Sequence, residues 1–215
     1  MCGRYEIVDG RRIFVRFGVT NATPEMPEIL AHLDVRPTQQ VPALVTDHEL
    51  RLMRWGLVPS WARDMSVGSK MINARAEGIA EKPSFKRPLR SQRCLLPASA
   101  FFEWQGATRG AKVKYRIGRK DGEMFGLAGL YDVWKSPGGE EVTTCTIITC
   151  APNAALAPIH NRMPVILPPE DEDAWLDPDM TEVEAITSYL RPYPDELLEA
   201  VAAASRTTAL NGINS

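Results

Sequence analysis

The sequence predicts an α+β chain, a mainly antiparallel, β-barrel-like core flanked by short helices. Three observations carry this expectation. The middle of the chain is a succession of segments rich in β-branched and aromatic residues, among them LRLMRWGLV, RCLLPASAFFEW, MFGLAGLYDVW and EVTTCTIITC. Turn chemistry at Asp121-Gly122 and in SPGGEE joins neighbouring segments directly, without the regular helical crossovers of a parallel sheet. Helical periodicity is confined to the two flanks.

The N-terminal third reads as two short helices before the strands. In TPEMPEILAHL, Thr23 stands at the cap and Pro24 at the first helical position, and Met26, Ile29, Leu30 and Leu33 form an i, i+3, i+4, i+7 stripe. Strands are then expected in VPALVTD, LRLMRWGLV, RCLLPASAFFEW, KVKYRIG, MFGLAGLYDVW, EVTTCTIITC and MPVIL. Helices return after Pro168, where Thr181 and Glu184 read as a capping box ahead of a helix with Val183, Ile186 and Leu190. PDELLEAVAAAS reads as one further short helix.

A chain of 215 residues, 44% of them hydrophobic, can bury a full core, and one domain over residues 1–215 is expected. No stretch approaches the roughly 20 apolar residues of a membrane span, and the first ten residues have no apolar signal core or cleavage site. These points give a cytoplasmic protein without membrane association, and the lack of a surplus apolar stripe gives a monomer. The cysteines Cys2, Cys94, Cys145 and Cys150 have no paired CxxC spacing, and the separation in TCTIITC turns Cys145 and Cys150 to opposite faces of a strand. Neither a disulfide framework nor a metal site is indicated, and no cofactor is expected.

Charge is unevenly distributed. Residues 1–120 hold 21 Lys and Arg against 11 Asp and Glu, whereas residues 121–215 hold 4 against 16. Within residues 70–93, seven basic residues face two acidic ones, with Phe85 among them. A basic surface with aromatic insertions suits a phosphate backbone and stacked bases, and a solvated face balanced by the acidic half is the alternative.

Several residues are candidates for chemistry. Removal of Met1 would leave Cys2 N-terminal, with an amine and a thiol on neighbouring carbons; a frayed terminus is the plainer alternative. In FFEW, strand alternation puts Glu103 on the face of Phe101, where desolvation raises a carboxyl pKa into the range of acid–base work, unless an arginine pairs with it. Asn73 and Arg75 lie two apart in INARAE, an amide to orient a polar group and a guanidinium for an anion. His48 sits in the turn-like TDHE and His32 beside the helical stripe. His160 lies between Pro158 and Pro164, on a constrained loop before an apolar strand, a setting that fixes a side chain's direction.

MCGRY, WGLVPSW, INARAE, RCLLPASAFFEW and IHNRMPVIL, in this order and spacing, resemble the SOS-response-associated peptidase family, whose members are known as abasic-site processing proteins. The resemblance runs from residue 2 to about residue 168. It implies a single-domain α+β fold around a barrel-like core, with a positively charged groove for single-stranded DNA carrying abasic sites. It also implies catalytic positions at Cys2, Asn73, Glu103 and His160, phosphate contacts at Arg4 and Arg75, and a base contact at Trp61; Arg162 is added from its place beside His160 as a third phosphate contact. Pro37 and Phe85 complete the expected DNA-binding set. An abasic site opens to an aldehyde, an amine condenses with it to an imine, and a thiol on the adjacent carbon closes a five-membered thiazolidine. An α-amine, with a pKa of about 8 against about 10.4 for lysine, is neutral often enough to start this reaction.

The chain departs from the family at a few positions. Asp34-Val35-Arg36-Pro37 replaces an Asn-Val-Ala-Pro-like segment and puts a carboxylate near the expected DNA path. Ala100 stands where glycine is common, and Ala62 follows Trp61 where some relatives have a second tryptophan. Autocatalytic removal of Met1 is expected alongside the crosslinking activity, and two other readings stay open: an N-terminal-cysteine amidohydrolase or peptidase, and a non-catalytic module that binds single strands through the basic patch.

Overall fold

The computed structural model describes residues 2–22, 26, 30, 32–106 and 112–203. Along the chain run β1 (Tyr5–Val8), α1 (Arg12–Arg16), β2 (Asn21–Ala22), β3 (His32–Val35), β4 (Gln40–Val45), β5 (Glu49–Trp55) and β6 (Asn73–Arg75). These are followed by α2 (Pro83–Ser91), β7 (Arg93–Ala98), β8 (Ala100–Gln105), β9 (Val113–Arg119), β10 (Phe125–Lys135) and β11 (Glu141–Cys150). The last elements are β12 (Met163–Pro164), β13 (Ile166–Leu167), α3 (Pro169–Leu176), α4 (Val183–Ser188) and β14 (Leu198–Ala202).

Five strands close on themselves. β5, β4, β7, β10 and β11 pair antiparallel in that order, and β11 returns to β5 in parallel, with Cys145 opposite Trp55. Closure leaves these strands without an open edge between them. β6 adds to β11 in parallel, Asn73 opposite Ile147, and so carries INARAE against the barrel wall. The second sheet has the order β14-β9-β8-β1-β3. Its inward residues Tyr5, Ile7, Phe101 and Ile117 are fully buried in the same core as the barrel residues, and the Tyr5 ring meets Trp55 edge-on at 5.4 Å. The α+β class and the barrel-like core are as the sequence predicted.

Several local expectations are corrected. RCLLPASAFFEW is two strands in two sheets. The chain changes sheet at Ser99, whose N–H donates to the Glu6 carbonyl while its hydroxyl accepts from the Val8 N–H. The turn at Gly122, with φ +74°, likewise joins β9 of one sheet to β10 of the other, whereas Gly139, with φ +89°, closes a true β10–β11 hairpin. Thr181 makes no capping box: α4 starts after Glu182 with no side-chain cap. PDELLEAVAAAS forms a 3-10 turn at Asp195–Leu197 and then β14, which pairs with the otherwise open edge of β9 and buries Leu198. Thr23, Pro24 and Ile29 lie outside the described residues. Met26 and Leu30 of that stripe are fully buried, but Leu33 belongs to β3, opposite Ile7.

The four cysteines are unbridged and buried. Beyond β5, Gly56 (φ +129°) and Gly68 lie back to back: a Cβ on either would sit 2.6 Å from the other's carbonyl oxygen. The segment between them carries Trp61. Its backbone is held by Asp132, which accepts the Ser60 N–H at 2.9 Å, and by the Trp134 indole, which donates to the Ala62 carbonyl at 2.7 Å.

Candidate active site

Cys2 is not frayed. It is fully buried, and its carbonyl accepts a 2.9 Å hydrogen bond from the Asn73 side-chain amide on β6. Burial pushes the Cys2 thiol well above its ordinary value, and the Glu103 carboxylate adds to the rise. The thiol is therefore held neutral next to a carboxyl group.

Glu103 stands on β8 on the side of Phe101 that faces the core, as alternation requires, and its residue is 4% exposed. Burial pushes its carboxyl up, while the charge of His160 acts in the opposite direction. The His160 Nε2 lies 3.8 Å from Glu103 Oε2. The imidazole is fixed from behind, with Nδ1 3.0 Å from the Arg162 N–H and 3.2 Å from the Arg162 carbonyl. Accepting from that N–H leaves the neutral ring's proton on Nε2, facing Glu103; the doubly protonated ring donates to the carbonyl instead. Both states of His160 thus find a backbone partner.

The loop that carries His160 is tied to β8 by a residue that sequence reasoning missed. The Gln105 amide donates to the Pro158 carbonyl at 2.9 Å, and the Tyr115 hydroxyl donates to Gln105 Oε1 at 3.1 Å. The available signal was spacing: Gln105 lies two residues beyond Glu103 and shares its face. Asn153 anchors the other end of the loop, donating to the Tyr193 carbonyl and accepting the Leu156 N–H.

Cys2, Asn73, Glu103 and His160 are therefore brought together, and the expected DNA-binding residues have diverse fates. Arg75 follows Asn73 on the same side of β6 and is exposed. Trp61 is 64% exposed on its braced loop. Pro37 is half-buried in the turn after β3, where the Arg36 N–H donates to Gln39 Oε1. Arg4 forms a two-pronged ion pair with Asp34 at 2.7 and 2.8 Å. Arg162 is engaged too: it forks onto Glu77 at 2.7 and 2.9 Å and bonds the Thr149 carbonyl, leaving its side chain 13% exposed. It braces the His160 loop more than it offers itself to an anion. The expected aromatic insertion at Phe85 is corrected, because the inner face of α2 buries it to 5% exposure with Pro88 and Leu89, out of reach of a base. Lys82, Lys86, Arg87 and Arg90 form the exposed basic face, while Arg93 is buried and donates to the carbonyls of Leu89, Arg90, Trp175 and Asp177.

Among the described residues no group of three or more His, Cys, Asp or Glu side chains is placed to hold a metal ion, and no helix is long and apolar enough to cross a membrane.

Comparison with known proteins places this arrangement in a family. The model of the SOS response associated peptidase (SRAP) family matches residues 1–208. The abasic site processing protein YoqW of Bacillus subtilis (strain 168) is 42% identical over 209 residues, which cover 95% of this chain and 93% of YoqW. The abasic site processing protein YMR114C of Saccharomyces cerevisiae is 37% identical over 153 residues, 68% of this chain and 40% of that protein. A crystal structure of a protein from Bacteroides thetaiotaomicron superposes with a TM-score of 0.86 at 32% identity, covering 94% of this chain and 92% of that one. With the family model matching residues 1–208 and a relative 42% identical over 95% of the chain, this chain belongs to the SOS response associated peptidase family.

Proposed function

We propose that this chain senses and processes abasic sites in single-stranded DNA, forming a covalent crosslink through Cys2 once Met1 has been removed. The observation that carries the reading is the tether on Cys2: near the chain's start, where a frayed terminus was the plainer alternative, it is held by Asn73 beside a buried carboxyl. The names of the relatives point the same way.

The chemistry follows from the placement. The Cys2 amine adds to the aldehyde of the ring-opened sugar, and loss of water gives an imine. The neutral thiol then adds across the C=N bond: sulfur bonds to carbon, the thiol proton ends on nitrogen, and a thiazolidine closes. Glu103, kept protonatable by burial, donates a proton as water leaves and takes it back from the amine. His160, with Nε2 as its donor, protonates the sugar ring oxygen during opening. Asn73 fixes the Cys2 backbone so that amine and thiol reach the same carbon. Arg75 contacts a flanking phosphate and Trp61 stacks on a neighbouring base. Self-removal of Met1, the peptidase activity in the family's name, is assigned to the same site: the Cys2 thiol directly follows the Met1 carbonyl and lies by the Glu103–His160 pair, and hydrolysis of the Met1–Cys2 peptide bond frees the Cys2 amine.

Intact-mass analysis before and after incubation with a single-stranded oligonucleotide containing one abasic site tests the reading. The expected result is loss of Met1 followed by an adduct that survives denaturation and is abolished in Cys2→Ala. A processed protein that forms no adduct would instead favour an amidohydrolase, read by ammonia release from glutamine, or a module that only binds.

A further inference from the structure

Resting on the reading above, the geometry points to Asp34 as an internal competitor for Arg4, occupying the guanidinium fork that an incoming DNA phosphate would need. The pair is close to ideal, with Arg4 Nε and Nη2 each on a different oxygen of the same carboxylate at 2.7 and 2.8 Å. Carboxylate and phosphate present the same paired oxygens to an arginine fork, so one can replace the other without moving the guanidinium. Asp34 is set for exchange. It lies on the edge strand β3, its side chain is 40% exposed, and among the described residues its one other side-chain partner is Arg36 at 3.3 Å.

The surroundings are those of a phosphate site held shut. Arg36 approaches from the turn after β3, and Lys114 from β9 lies with its Nζ 3.8 Å from the centre of the Phe102 ring. The Arg4 guanidinium also lies over that ring, at 5.3 Å. Arg4, two residues after Cys2, thus shares the surroundings of the Asp34 carboxylate with Arg36 and Lys114, and Asp34 cancels part of the field that would hold any nucleic acid there. Arg162 is engaged in a similar fork with Glu77, but its additional bonds to Thr149 make it a structural strut and not an exchangeable contact. The consequence lies in selectivity. With Arg4 occupied, undamaged strands are held weakly and released quickly, and lasting retention falls to the covalent step at Cys2, which only an aldehyde supports.

The test is a double-mutant cycle on affinity for an undamaged, fluorescently labelled single-stranded oligothymidylate across a salt series, using wild type, Asp34→Asn, Arg4→Ala and the double variant. Asp34→Asn is expected to bind about two- to fivefold tighter at low salt, the range set by an exposed ion pair. Its salt dependence should steepen by about 0.7 in logarithmic slope, one extra phosphate contact on a single strand. Both gains should vanish when Arg4→Ala is added. Unchanged or weaker binding by Asp34→Asn would overturn the proposal, because Asp34 would then only orient Arg4. A gain that persists without Arg4 would overturn it too, since the effect would be general charge. Asp34→Ser is measured alongside with thermal melts, so a folding defect in one variant does not decide the outcome. Crosslinking of wild type to an abasic oligonucleotide is scored separately: failure there counts against the covalent reading, while the undamaged-strand data still report on Asp34.

Discussion

Glu103 and Glu172 are buried to nearly the same extent, 4% and 5% exposed, and burial raises the carboxyl pKa of each, yet their surroundings give them different work. Glu172, on α3, receives the fork of Arg16 at 2.9 Å on both oxygens. Arginine does not give up its proton, so no proton passes between the members of that pair, which serves to pin α1 to α3. Glu103 faces His160, an imidazole that can take up or release a proton and whose Nδ1 has a backbone partner in either protonation state. Burial alone marks both residues as unusual. The partner decides which is a strut and which can move a proton.

The comparison can be broken in three ways. The largest effect is expected from Glu103→Gln, which should slow crosslinking by about 10²- to 10⁴-fold, the usual contribution of a positioned acid–base group. Its affinity for undamaged single strands should stay at the wild-type level by anisotropy; equal losses in rate and affinity would remove the acid–base role. Next, Glu172→Gln should lower unfolding free energy by about 3 kcal/mol in a denaturant titration, because Arg16 is left without its counter-charge. Crosslinking per folded molecule should be retained, and a stable Glu172→Gln variant unable to crosslink would erase the distinction. The smallest effect is thermodynamic and depends on pH. A carboxyl whose folded pKa is raised destabilises the fold when ionised, so the cost is absent below the unfolded pKa of about 4.3 and grows as pH rises through the folded value. Glu103→Gln should therefore melt higher than wild type at pH 8 and lose that advantage toward pH 4. An advantage that instead grew toward pH 4 would mean a carboxylate stabilised by folding.

What the sequence could convey depended on how far each signal reaches. Alternation along FFEW placed Glu103 correctly, because side-chain direction in a strand is set by the residue's own backbone. The seven strand segments were legible for the same reason. The switch of sheet at Ser99 was not, since it depends on a hydroxyl meeting the Val8 N–H across 91 residues. PDELLEAVAAAS has helical propensity, but the edge of β9 offered its backbone better partners. Phe85 shows the limit of composition: surrounded by lysine and arginine in sequence, it sits on the inner face of an amphipathic helix whose outer face is basic. The Asn73 bond to Cys2 spans 71 residues, and the partners of Arg4 and Arg162 were equally invisible before the chain was folded.

The back-to-back glycines at 56 and 68 bear on kinetics as well as on shape. Because any side chain at either position would force the two backbones apart, the base of the Trp61 loop is cinched and its tip has little conformational freedom to lose. A stacking nucleobase would meet an indole platform already in position, so the attraction goes into holding the strand instead of ordering the loop. Encounter with a passing single strand would then be limited by diffusion and orientation, with no folding step on the protein side.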